Sequence, residues 1–278
     1  MADDRQNNRR LKNFMRPYLE GFYDWVLMPT HFKVAFYWFV VLVGSFIHGF
    51  QLLPLSYLSN KRNVFNVYFA KFGWGWTLLL LIPFISLTSS VYTSLNPLAI
   101  LKHLSRMAVA TCGWYFWVNL FFYIKELTGF CEGEETLISK RSCNKEGFYW
   151  NGFDISGHCF LLTYSALVIS EELQPKLYWP STMSAVVQTS PENINGFQYR
   201  NIARLVTPFV GVFSFFAGLL LILWEFMLVF TTIYFHTVYQ KVLGAGIAIF
   251  TWYITYRVWY CYALSPGLPQ VPNAKVTG

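Results

Sequence analysis

Uninterrupted apolar runs of about membrane-spanning length constrain this chain more than any other feature. A helix of about 20 apolar residues crosses the ~30 Å hydrocarbon core of a bilayer. Of the 278 residues, 55% are hydrophobic and only 13% are charged, about half the charged share of an ordinary soluble domain. The sequence therefore predicts an all-α, polytopic integral membrane protein, and its composition excludes a typical soluble domain.

The apolar runs predict six transmembrane helices, over residues 34–53, 74–92, 107–124, 155–173, 208–233 and 242–264. An even number of spans places both termini on one side of the membrane, and the basic residues before the first span favour the cytosol for that side. We therefore expect a basic cytosolic segment (1–32), a six-helix membrane domain (33–264) and a cytosolic tail (265–278). The net charge of +7 is attributed to loops facing anionic lipid, not to nucleic acid.

Several polar segments leave more than one interpretation open. The segment up to residue 32 is either a short helix on the membrane surface or a solvated basic tail. Residues 174–204 contain three prolines and are predicted to be a loop. Cys131 and Cys143 share the polar segment 125–154, where they form a disulfide if the segment faces an oxidising compartment and remain thiols otherwise.

Two histidines lie at the ends of predicted spans. His158 opens the fourth span and His236 closes the fifth, so the span count puts both at one membrane face, whatever the orientation. Imidazoles titrate near neutral pH and serve as nucleophiles or as general acids and bases. The pattern predicts a paired site for phosphoryl chemistry. The alternatives are two unrelated histidines, or a metal site in which Asp154 is the nearest third ligand.

Residues around the histidines suggest how an anion could be held. Ser156 and Gly157 precede His158 at the start of a helix, where N–H groups and the helix dipole favour phosphate. Lys71 and Lys241 are predicted to bind substrate from the same side, which also carries Lys61 and Arg62. Ordinary loop solubility is the alternative for each of these cations. Deeper in the membrane, helical spacing predicts a structural ion pair between Glu225 and Arg257.

Four segments closely resemble the fat-storage-inducing transmembrane family: residues 65–77, 153–162 (FDISGHCFLL), 171–172 and 224–237. The resemblance implies a six-span endoplasmic reticulum protein needed for lipid-droplet formation and similar to the lipid phosphate phosphatases. It implies a fatty acyl-CoA diphosphatase that acts at the lumenal face and yields acyl 4'-phosphopantetheine and adenosine 3',5'-bisphosphate. It implies no cofactor, and the partners it implies are acyl-CoA and membrane lipids. By this resemblance His158 is the acid for the leaving group and His236 the nucleophile.

The sequence departs from the phosphatases in three respects, one of which is that their first motif, Lys with Arg-Pro seven residues on, has no clear counterpart. Phe230 stands where their pattern has an arginine, and Gln240 stands where they have an aspartate after the nucleophile. The group that orients His236 is therefore left open by the sequence. A non-catalytic membrane protein that binds and organises neutral lipid is the alternative function, because long aromatic-rich spans suit that role too.

Overall fold

The computed structural model describes residues 16–54, 56–133, 136–189 and 194–269. The predicted basic residues before residue 16 and the tail from residue 270 lie outside these ranges. A first helix, α1, covers residues 16–26. The remaining elements are α2 (Thr30–Gly49), α3 (Gly73–Tyr92), α4 (Pro97–Leu127), β1 (Phe130–Glu132), α5 (Lys140–Lys145), β2 (Tyr149–Asn151), α6 (Gly157–Glu172), α7 (Gln174–Leu177), α8 (Trp179–Thr189), α9 (Ile194–Tyr234) and α10 (Val238–Trp252).

The helices confirm a mostly α-helical membrane protein. Among the described residues, four helices are long and apolar enough to cross a membrane: α2, α3, α4 and the part of α9 from Gly196 to Tyr234. The other two predicted spans correspond to shorter helices. Helix α6 has 16 residues, and α10 has 15 residues but continues through a π-helical turn (Tyr253–Val258) and a 3-10 turn (Trp259–Cys261).

Helix α6 forms the centre of the bundle, since every residue from Cys159 to Glu172 except Leu161 is buried. Small residues let the neighbouring helices approach closely. A Cβ atom at Gly244 of α10 would lie 2.5 Å from the carbonyl oxygen of Ser156, and one at Gly44 of α2 would lie 2.2 Å from the hydroxyl of Thr232 on α9. Close backbone approach at small residues is the usual means of packing helices in membranes.

The prediction of a loop over residues 174–204 is wrong. Most of this segment is helical, as α7, α8 and the first turns of α9. Pro175 lies in the first turn of α7, and Pro180 is the second residue of α8. A proline in the first helical turn removes only an N–H group that would have no partner in the helix, so it is compatible with a helix there.

The predicted Glu225–Arg257 ion pair is also wrong. Lys33 of α2 donates to Glu225 at 3.0 Å, and the indole of Trp25 donates to the same carboxylate at 2.7 Å. Arg257 pairs with Glu171 of α6 instead. The prediction compared depths in the membrane, but α1 and α2 pack directly against α9 and supply its partners. Helix α1 is thus packed on the bundle through Trp25.

The segment 125–154 contains a small two-stranded sheet, which the all-α prediction did not include. Strands β1 and β2 pair antiparallel, with Cys131 opposite Trp150. A disulfide joins Cys131 to Cys143 in α5, which decides between the two alternatives for these cysteines. This disulfide-linked hairpin connects the end of α4 to the start of α6, where Asp154 and His158 lie.

Candidate active site

His158 and His236 open into one cavity of about 480 Å³. The cavity lies where α4, α6, the end of α9 and the segment before α3 meet. We call this end of the bundle the histidine end. Its lining combines charged and polar side chains with an apolar stretch of α4. The lining residues are Lys61, Asn66, Ala70, Trp114, Val118, Phe122, Lys125, Asp154, Gly157, His158, Leu161, Thr231, Phe235 and His236.

Backbone contacts between α6 and α10 bring the two histidines together. The N–H of Ser156 donates to the carbonyl oxygen of Gln240 at 3.1 Å, so the start of α6 is fixed to the first turn of α10. His158 follows two residues later. His236 lies in the turn between α9 and α10 with φ of 62°, a conformation that a non-glycine residue adopts only when its surroundings hold it there. The predicted convergence of the two segments is thus present in the structure.

Gln240 fixes the tautomer of His236. Its Oε1 atom accepts the backbone N–H of Thr237 at 3.0 Å, and the same oxygen lies 3.3 Å from Nδ1 of His236. An amide oxygen accepts hydrogen bonds and cannot donate them. Nδ1 therefore carries the proton, and Nε2 keeps the lone pair that a nucleophile or base requires. This oxygen fills the orienting role that the sequence left open.

The surroundings of His236 keep it neutral. Partial burial lowers the pKa of His236, because a charged imidazolium loses water there, and the nearby Lys61 and Lys241 lower it further. The carboxylate of Asp154 and the Gln240 oxygen act in the opposite direction. The net pKa lies below the usual value of about 6.5, so the unprotonated form predominates at neutral pH.

The predicted anion-binding residues occupy different positions. Gly157 is exposed and lines the cavity. Ser156 is fully buried, and its hydroxyl accepts the N–H of Cys159 at 3.3 Å, so it caps α6. Lys241 is fully buried and donates to the carbonyl oxygen of Thr232 at 2.7 Å, which ties α10 to α9. Lys71 is exposed and is not among the lining residues.

Two other lysines line the cavity, Lys61 and Lys125. Lys125 forms a 3.0 Å ion pair with Asp154, which keeps both charges beside the histidines. The sequence offered a weak signal for these lysines, because both lie in polar segments that the span count assigns to the histidine side. Nothing in the local pattern distinguished them from Lys71.

The apolar wall of the cavity follows one face of α4. Trp114, Val118 and Phe122 recur every four residues and line the cavity, over about 12 Å of helix at ~1.5 Å per residue. Trp114 stacks on Trp74 of α3, which stacks in turn on Tyr164 of α6, with ring centroids 6.1 and 5.5 Å apart. Of these three rings Trp114 lines the cavity, and the stack packs it against the buried rings of α3 and α6.

Within the described ranges, no group of three His, Cys, Asp or Glu side chains is arranged to hold a metal ion. Asp154 shares the cavity with both histidines, yet these side chains do not form a ligand set. The chemistry available from the residues present is nucleophilic and acid–base, with two ammonium groups and a helix N-terminus able to hold an anion.

A helical bundle of membrane-spanning length with a two-histidine cavity at one end belongs among the polytopic integral membrane proteins. The family model described as "Fat storage-inducing transmembrane protein" matches residues 54–130 and 125–256, and the chain belongs to this family. It is 41% identical over 242 residues to the Xenopus tropicalis protein called acyl-coenzyme A diphosphatase FITM2, covering 85% of each chain.

The human protein of the same description is 39% identical over 260 residues, which cover 88% of this chain and 92% of the relative. The Drosophila melanogaster relative is 37% identical over 266 residues, which cover 89% of this chain and 62% of the longer relative. No solved structure matches this chain.

Proposed function

We propose that this protein is an endoplasmic reticulum acyl-CoA diphosphatase that supports lipid-droplet formation. It converts fatty acyl-CoA and water to acyl 4'-phosphopantetheine and adenosine 3',5'-bisphosphate. The observation that carries the proposal is the shared cavity of His158 and His236, which Lys61 and Lys125 also line. The description of the relatives as acyl-coenzyme A diphosphatases supports the choice of substrate.

His236 is the nucleophile. Its Nε2 lone pair attacks one phosphorus of the diphosphate, an N–P bond forms, and the bond from that phosphorus to the bridging oxygen breaks. His158 in its protonated form gives its proton to the departing phosphate oxygen. The neutral His158 then takes a proton from water, whose oxygen breaks the N–P bond and completes the second phosphate group.

Positive charge around the cavity stabilises the transferred phosphoryl group. Lys61 and Lys125 line the cavity, and the N–H groups of the first turn of α6 begin at Gly157. Helix packing fixes the N–H groups of α6, and the ion pair with Asp154 holds Lys125 in place before the substrate arrives. Preorganised charge of this kind is usually the largest contribution to phosphoryl transfer.

The acyl part and the nucleotide part of the substrate extend in different directions from the histidines. The side that carries the acyl chain runs along the apolar α4 wall of Trp114, Val118 and Phe122 and leaves toward the lipid. The nucleotide side remains near the charged part of the lining, which includes Lys61. A substrate with one apolar and one highly charged end suits a cavity with this division.

We further propose that all six predicted spans cross the membrane, with both termini in the cytosol and the histidine end in the lumen. Helix α6 is short, but its burial at the centre of the bundle shields it from lipid. The Cys131–Cys143 disulfide lies at the histidine end, and disulfides persist in the oxidising lumen of the endoplasmic reticulum. An Asn-x-Thr acceptor introduced between α5 and β2 should therefore be glycosylated in microsomes.

The test is the release of adenosine bisphosphate from oleoyl-CoA by purified protein in detergent. We expect His158→Ala and His236→Ala each to lower kcat by at least about 100-fold, the usual contribution of a positioned acid or base. His31→Ala is the matched control, because His31 is exposed and belongs to α2 at the opposite end. Full activity of both site variants would refute the proposed chemistry. A folded wild-type protein that binds neutral lipid without turnover would favour the non-catalytic alternative.

A further inference from the structure

A basic loop connects α2 to α3 and contributes residues to the cavity lining. We define it as residues 56–72, which include Lys61, Arg62 and Lys71. The chain contains no acidic residue between Asp24 and Glu126, so the loop has no carboxylate of its own. Within the described part of the chain, none of its three cations forms an ion pair. The three cations therefore give the loop a net charge of +3, and one of them, Lys61, lines the cavity of the two histidines.

Hydrogen bonds hold the basic loop in one shape. The amide of Asn63, only 3% exposed, donates to the carbonyl oxygen of Leu58 at 3.1 Å and accepts the N–H of Asn66 at 2.8 Å. Oδ1 of Asn60 accepts the N–H of Arg62 at 2.8 Å. A preorganised loop loses less entropy on binding a ligand than a flexible one, so its cations are suited to recognition.

The loop flanks the cavity at two points. Lys61, Asn66 and Ala70 line the cavity. Arg62 follows Lys61 directly, and Lys71 follows Ala70. Consecutive Cα atoms are about 3.8 Å apart, so both additional cations have their backbone within one residue of the cavity wall. Neither Arg62 nor Lys71 lines the cavity itself, so these two cations are placed for an anionic group that extends beyond the diphosphate.

Coenzyme A carries such a group, the phosphate on the 3' oxygen of its ribose. About six covalent bonds separate this phosphorus from the nearer phosphorus of the diphosphate. An extended chain advances about 1.2 Å per bond, as the backbone does at three bonds per residue, so the two phosphorus atoms are at most about 7 Å apart. That reach exceeds the single Cα step of about 3.8 Å that separates Arg62 from Lys61 and Lys71 from Ala70, the two lining residues next to them.

We propose that Arg62 and Lys71 bind the 3'-phosphate of the coenzyme A moiety and so select acyl-CoA over substrates that lack this group. This inference rests on the proposed function. The guanidinium of Arg62 pairs with phosphate through two parallel hydrogen bonds, and the ammonium of Lys71 adds a point charge. The two residues determine specificity and take no part in bond breaking.

The experiment compares oleoyl-CoA with oleoyl-3'-dephospho-CoA at the same mole fraction in detergent. We expect wild-type kcat/KM to be at least about tenfold higher for oleoyl-CoA, the effect of a hydrogen bond to a charged group. The double variant Arg62→Gln/Lys71→Gln should reduce this ratio to about one, mainly by raising KM for oleoyl-CoA. The control is Lys140→Gln/Arg141→Gln on α5, which removes two cations from the hairpin and should leave the ratio unchanged.

Equal wild-type activity on the two substrates would overturn the proposal, as would a double variant that keeps the wild-type ratio. A double variant that loses affinity for phosphatidylserine vesicles but keeps the ratio would assign the loop to lipid headgroups instead. Binding of adenosine 3',5'-bisphosphate and adenosine 5'-monophosphate to wild-type protein, measured by calorimetry, gives a readout without turnover. Tighter binding of the bisphosphate, lost in the double variant, supports the subsite even if oleoyl-CoA is not hydrolysed, a result that would refute only the proposed function.

Discussion

Replacement of Gln240 by leucine removes the acceptor that orients His236. In the structure its Oε1 oxygen holds Nδ1 of His236 at 3.3 Å and the N–H of Thr237 at 3.0 Å. A donor left without its partner in a partly buried site costs about 1 to 3 kcal/mol. If this loss is expressed as misorientation of the imidazole, kcat falls by about 5- to 150-fold at ~1.36 kcal/mol per factor of ten. Substrate binding is unaffected, so KM changes little.

Replacement of Gln240 by glutamate tests how a nearby charge affects His236 while the acceptor that orients its imidazole is kept. The glutamate keeps an acceptor oxygen but adds a negative charge beside His236, which favours the imidazolium. In the wild type burial lowers the pKa of His236, so activity falls only when the pH drops below about 6.5, the usual value for histidine. In Gln240→Glu the pKa rises, and the acid limb of the activity profile moves to higher pH.

The assay is the pH dependence of kcat/KM for oleoyl-CoA between pH 5 and 8, followed by release of adenosine bisphosphate. Thermal unfolding of each variant in detergent serves as the control for folding. We expect a lower plateau and little shift for Gln240→Leu, and a shifted acid limb for Gln240→Glu. Two folded variants with the wild-type profile would refute the tautomer that we derive for His236.

The remaining predictions concern buried contacts. Lys33→Met leaves Glu225 as an unpaired buried charge and should lower the free energy of unfolding by about 3 kcal/mol or more, measured by thermal unfolding in detergent. Replacing Cys131 and Cys143 by alanine should cost about 3 kcal/mol, because the disulfide closes a loop with a sequence separation of 12 and so restricts the unfolded chain. Lys241→Met should destabilise the protein with little change in KM, because its ammonium binds a backbone carbonyl.

Each of these variants has a control in the same chain. Solvent screens the exposed pair of Arg16 and Glu20, so it should contribute little and Arg16→Gln should barely change stability. Dithiothreitol should reproduce the loss seen in the cysteine variant and leave that variant unaffected. Lys61→Met should raise KM, in contrast to Lys241→Met, and an equal rise in both would contradict the positions of these two lysines.

The membrane class and the pairing of the histidines could be predicted because they depend on coarse properties of the sequence. Apolar runs of membrane length indicate helices whatever their packing. The convergence of His158 and His236 followed from counting spans between them, and the backbone bond from Ser156 to Gln240 shows how the two segments are joined. The four segments of family resemblance added the substrate, which no periodic pattern contains.

The ion-pair partner of Glu225 and the lysines that line the cavity could not be predicted, because they depend on which helices pack against each other. Depth in the membrane suggested Arg257 for Glu225, but the packing of α2 against α9 supplies Lys33 instead. Lys71 and Lys241 lie on the predicted side, but Lys71 lies outside the cavity lining, and the ammonium of Lys241 donates to the carbonyl oxygen of Thr232. Counting spans predicts on which side of the membrane a residue lies, whereas the direction of its side chain depends on tertiary packing.

A double-mutant cycle on His158 and His236 measures most directly whether the two imidazoles act on one phosphorus atom. The rate of oleoyl-CoA hydrolysis is determined for wild type, both alanine variants and the double variant, all shown to be folded. Residues that act as one unit give strongly non-additive effects, so we expect the double variant to be no slower than the slower single variant. Effects that multiply, or a single variant with wild-type turnover, would mean that the two histidines do not work together.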